Sequence, residues 1–98
     1  MVDPAEAFLQ SVDHASPPDG AEGLLRAVWH GLRGEWEVAH RLAQDDHTTE
    51  GAWVHAWLHR IEGDLDNAAY WYGRARKPRP HDSVMLEGQR IARALLGR

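Results

Sequence analysis

The side chains of this chain best suited to chemistry near neutral pH are seven histidines: His14, His30, His40, His47, His55, His59 and His81. His55 and His59 are four residues apart in a stretch with helical patterning, so they share one helix face. Glu62 lies one turn further on the same stretch. A His-x-x-x-His pair on one face is a workable pair of zinc ligands, with Glu62 or a residue from another helix as the third. The glutamate that metalloproteases carry between two such histidines is missing. Ala56-Trp57-Leu58 stands there instead, so that hydrolytic reaction has no base. The competing account is structural: the same histidines pack between paired helices and bond to buried polar groups.

Other chemistries find less to work with. The only serines are Ser11, Ser16 and Ser83, in turn or cap settings, and there is no Gly-x-Ser-x-Gly, phosphate loop or dinucleotide fingerprint. There is no cysteine, which removes thiolate chemistry and disulfides and suits a reducing interior. Asp64 and Asp66 form a carboxylate pair, but at the start of a helix, where capping and the dipole account for them. The segment from Arg74 to His81 is basic and could meet phosphates. It contains two prolines and no interleaved aromatics in an acidic chain, which argues against nucleic acid.

Charge is unevenly spread over the 98 residues. Residues 1–73 hold 13 acids and 4 bases, a balance of −9, and residues 74–98 hold 7 bases and 2 acids, a balance of +5. The length predicts one domain with a modest core, and the 43% apolar content with five Trp predicts that it is folded. MVDPAEAFLQ has neither a basic region nor an apolar run, so no signal peptide is expected, and no stretch approaches the ~20 apolar residues of a membrane span. The expectation is a soluble cytoplasmic protein.

These side chains must be positioned by helices, because no segment alternates with period two. The patterning predicts six helices. The first begins at Asp3-Pro4-Ala5-Glu6, with Asp3 as N-cap and Pro4 at the first helical position, and runs toward Ala15. Asp19 is expected to cap the second, which carries Leu24, Leu25, Val28, Trp29 and Leu32 and stops at Gly34. The third spans Glu35 to about Gln44, and a polar connector follows. The fourth, Glu50–Glu62, carries Trp53, Val54, Trp57, Leu58 and Ile61 and ends at Gly63. Asp64 caps the fifth, with Leu65, Ala68, Trp71, Tyr72 and Ala75 inward, and Lys77-Pro78-Arg79-Pro80 stops it. Asp82 or Ser83 caps the sixth, with Val84, Met85, Gly88, Ile91, Ala92, Leu95 and Leu96 on one face.

Shifted by 29 residues, the chain matches itself. Leu24, Leu25, Val28, Trp29 and Leu32 fall on Trp53, Val54, Trp57, Leu58 and Ile61; His30 falls on His59, Gly34 on Gly63 and Ala39 on Ala68. Two helical hairpins, about 20–46 and about 48–80, are thus predicted to stack, with the first helix and a sixth helix at about 82–97 as caps. The second copy resembles the tetratricopeptide repeat, carrying Gly63, Asp64, Asp66, Ala68, Tyr72, Ala75 and Pro80 in that family's places. Trp71-Tyr72 followed by Ala75 is also similar to the Sel-like bacterial repeats, and the chain looks like small bacterial proteins built around this hairpin. The period of 29 is shorter than the family's ~34, and His59 stands where an aromatic is usual.

The resemblance implies an all-α stack of antiparallel hairpins and a non-catalytic interaction module with no cofactor. A peptide, a partner protein or a second copy of the chain would lie in a groove floored by the second and fourth helices. Trp29, Trp53, Trp57, Arg60 and Trp71 are the expected anchors, since Trp and Arg dominate binding hot spots. Helical periodicity alone would instead put Trp53 and Trp57 in the core. The competing function is a metal-binding protein or metal-dependent enzyme using His55, His59 and Glu62.

Overall fold

The computed structural model describes residues 3–97. The chain is all-α, with no strand among the described residues: α1 (Pro4–Gln10), a 3-10 turn (Ser11–Asp13), α2 (Gly23–Leu32), α3 (Trp36–Gln44), α4 (Thr49–Ile61), α5 (Leu65–Ala75) and α6 (Val84–Leu96). Side-chain caps start most of them. Asp3 accepts from the Glu6 N–H, Thr48 from Gly51, Asp64 from Asn67 and Ser83 from Leu86. Asp19 does not cap α2. The Ala21 N–H donates to the Pro18 carbonyl (3.1 Å), closing a turn over Asp19, and the helix begins at Gly23 after Glu22, which makes no capping bond. The first helix also stops short of Ala15, tightening into the 3-10 turn.

The 29-residue repeat reappears as geometry. After α2, Glu35 N–H donates to the His30 carbonyl (2.9 Å) around Gly34 at φ 80°. After α4, Asp64 N–H donates to the His59 carbonyl (3.0 Å) around Gly63 at φ 85°. Both are left-handed glycine stops that reverse the chain, and both lead directly into the second helix of a hairpin. The pairs α2/α3 and α4/α5 pack closely, and α3 lies against α4.

α4 is the central helix, in contact with α2, α3, α5 and α6. Its residues from Gly51 to His59 form an unbroken buried run, the pattern of a helix covered all round. This resolves the placement of its two tryptophans and corrects the expected open groove. α6 packs across α2 and α4 and covers them both. Trp57 is 1% exposed, and its ring lies between Gly31 of α2 and Gly88 of α6. A Cβ added at either glycine would fall 2.6 or 2.5 Å from ring carbons of Trp57. Its Nε1 donates to the Val84 carbonyl (2.7 Å). Trp29 is equally buried, its Nε1 shared between the Ser11 carbonyl and Oγ (3.2 Å each). Trp29 and Trp57 are therefore core residues and offer no exposed floor to a partner. Among the described residues no helix is long and apolar enough to cross a membrane.

Candidate metal centre

Three of the seven histidines converge where α3 meets α4. His55 and His59 project from the same face of α4, and both are buried. His40 reaches them from α3, one turn after Trp36, and is half-buried. One ligand-capable nitrogen from each of the three rings lies within 4.8 Å of the others. His40 Nε2 and His55 Nε2 are 2.9 Å apart. Two tryptophans hold the rings flat from opposite ends. Trp36 stacks on His40 at 4.6 Å and 10°, and Trp71 stacks on His55 at 4.0 Å and 16°. Trp36 is itself fixed by its Nε1 bond to the Leu58 carbonyl (2.6 Å).

The electrostatics favour neutral rings. Burial, then the nearby His40 and His59, push His55 down to about 4. Burial and then His59 also lower His40, against a small opposing pull from Glu62. A neutral imidazole offers a lone pair, which is what a metal requires. The His40–His55 contact means that, without metal, one Nε2 carries a proton that the other accepts. A metal would take the place of that proton.

Glu62 plays a different part from the expected one. Its Oε1 lies 2.7 Å from His59 Nδ1. A ring that donates from Nδ1 to a carboxylate presents its Nε2 lone pair on the other side, the usual orientation of a metal-bound histidine. Glu62 is thus placed behind His59. It groups with His59 and Asp64 rather than with His55, and Asp64 is already occupied in capping α5.

The donor set fits a zinc(II)-class ion. Tetrahedral Zn–N bonds of 2.0–2.1 Å place neighbouring nitrogens about 3.3 Å apart, so the 2.9 Å pair must open by a few tenths of an ångström. Three imidazoles leave one coordination position for a further ligand. Imidazole donors suit zinc, copper and nickel and do not suit magnesium or calcium.

The remaining expected anchors are engaged elsewhere. Arg60 donates to Glu87 Oε1 (2.8 Å) and to the Asp82 carbonyl. Trp53 is 8% exposed and donates to Glu87 Oε2 (3.1 Å), with Lys77 Nζ 4.4 Å over its ring. Tyr72 OH lies 2.8 Å from both Glu87 oxygens. Glu87 is thus a fully buried carboxylate enclosed by three donors, and burial followed by its bond to Glu87 raises the Tyr72 hydroxyl's pKa. Trp71 stacks on His55 and also lines a surface hollow with His55 and Arg74.

Two of these residues were readable only in part. His40 follows Trp36 by four residues and adjoins the inward Ala39, which places it at the hairpin edge. Glu87 precedes Ile91 by four and so falls on the apolar face of α6. No protein family, curated protein or solved structure matches this chain.

Proposed function

We propose that the chain is a small metal-binding helical-hairpin protein, holding a zinc(II)-class ion between α3 and α4 through His40, His55 and His59. The observation that carries this reading is the convergence of three imidazoles from two helices, with their ligand nitrogens within 4.8 Å. The depressed pKa of His55, the carboxylate behind His59 and the tryptophans flanking the cluster add to it. Each feature alone is ordinary packing; together they are the first and second layers of a metal site. The ion would tie the first hairpin to the second, so binding would contribute directly to stability. We place this protein in the cytoplasm and read its hairpins as tetratricopeptide-like, a reading supported by the repeated glycine stops after α2 and α4.

Calorimetric titration of tag-free protein with zinc tests the proposal. One ion per chain is expected, and His40→Ala should remove the binding. A flat titration, or one that His40→Ala leaves unchanged, would sink it.

The second reading, a non-catalytic interaction module, retains support from the paired hairpins. Since α6 packs against both α2 and α4, this reading looks for its surface elsewhere.

A further inference from the structure

The positive half of the chain forms a surface that the metal reading does not use. Residues 74–98 carry 7 bases against 2 acids, and both acids are occupied. Glu87 is enclosed by Trp53, Arg60 and Tyr72, and Asp82 is bonded by Arg90. Arg76, Lys77, Arg79 and Arg93 are exposed and form no ion pair with another described residue.

Between these cations lies a hollow of about 460 Å3. It is lined by Trp53, Pro78 and Pro80, by the cations Lys77, Arg90 and Arg93, and by Glu87, whose carboxylate is already bonded by Trp53, Arg60 and Tyr72. A neighbouring hollow of about 350 Å3 shares Trp53 and Lys77 and continues to Arg76, with Glu50 at its far end. The two make one groove with an apolar base and a cationic edge. Its volume is in the range of sites that take a small ligand or a few side chains.

The chemistry selects among occupants. A nucleic-acid base needs a free aromatic face for stacking. Here the face of Trp53 is covered by Lys77 and its Nε1 is bonded to Glu87. A second copy presenting its acidic half to this surface would self-associate, which sedimentation detects. An extended acidic segment satisfies both parts of the groove, with carboxylates at the cations and an apolar side chain against Pro78 and Pro80. We propose that this groove binds an acidic, apolar-interrupted peptide segment of a partner protein. It shares no residue with the imidazole cluster.

The experiment is fluorescence anisotropy on the intact protein, with a labelled peptide alternating glutamate and leucine as probe. A lysine–leucine peptide and a single-stranded oligonucleotide serve as competitors. The acidic peptide should bind, weaken as salt rises, and lose roughly tenfold or more in affinity in Lys77→Glu and in Arg93→Glu. Both positions are exposed, Lys77 meeting the core only through its contact with the Trp53 ring, and circular dichroism melting checks that each variant is folded. The proposal is overturned if the acidic peptide does not bind, if both reversals bind it as the wild type does, or if the oligonucleotide binds more tightly. Sedimentation showing that Arg93→Glu abolishes self-association would also overturn it, by making a second copy the occupant.

Discussion

At the imidazole cluster, His40 and Glu62 act on the same site by different means. In the proposed site His40 would supply a nitrogen, and Glu62 would fix the ring that supplies another. Removing Glu62 as Glu62→Gln leaves three ligands but loosens His59, so zinc affinity should fall by about 10–100-fold rather than vanish. Calorimetry on both variants separates the roles, and equal losses would show that Glu62 is itself a ligand. Glu87 presents the opposite case, a charge retained for packing. Its carboxylate is fully buried and meets Trp53, Arg60 and Tyr72. Glu87→Ala removes the acceptor of the Trp53 and Tyr72 donors and one of the two partners of the Arg60 guanidinium, and should cost about 3–5 kcal/mol in urea denaturation. A loss below about 1 kcal/mol would mean that water replaces the carboxylate without penalty.

The helices were legible in the sequence, while the contacts that decide their exposure were not. The stripe on α2, the glycine stops at Gly34 and Gly63, and the caps at Asp3, Asp64 and Ser83 are local signals and appear where the spacing predicts them. Asp19 failed as a cap because a turn from Pro18 to Ala21 competes for the same residues. The larger miss was the reading of Trp29 as an anchor, while the periodicity reading that put Trp57 in the core is the one its burial bears out. Periodicity shows that a helix has an apolar face but does not reveal what covers it, and α6 returns from the far end of the chain to do so. His40 joined the imidazole cluster in the same way, from the first hairpin to the second. Glycine substitutions test the element scale. In Gly88→Ala the new methyl meets Trp57 at 2.5 Å and Leu32 at 2.7 Å, which should cost about 1–3 kcal/mol and outweigh the helix propensity gained. In Gly73→Ala nothing lies within 4 Å, so propensity acts alone and should stabilise by about 0.5–1 kcal/mol. Thermal melts of the two should move in opposite directions. Destabilisation by both, or by neither, would contradict the packing of α6 on Trp57.

Over the whole molecule, the fold closes on itself. The radius of gyration is 12.4 Å, close to the ~13 Å of a compact 100-residue domain, because α6 fills the space that an open repeat array would leave. Stability should depend on pH through the cluster at its centre. His55 titrates at about 4 when folded, against 6.5 for the free side chain. Between those values the unfolded chain binds more protons, so stability is complete above pH 6.5 and falls as the pH drops toward 4. His55→Phe, which keeps an aromatic ring against Trp71, should flatten that part of the melting profile. An unchanged profile would assign the acid sensitivity to the carboxylates instead. Zinc should raise the melting temperature at neutral pH and lose this effect on acidification, because protons compete for the same nitrogens.

The most direct measurement is the long-range proton–nitrogen NMR spectrum of the seven imidazoles, recorded before and after one equivalent of zinc. The account predicts that the Nε2 signals of His40, His55 and His59 shift together, that His59 keeps its proton on Nδ1 toward Glu62, and that His14, His30, His47 and His81 stay where they were. Shifts confined to those four, or none at all, would contradict it.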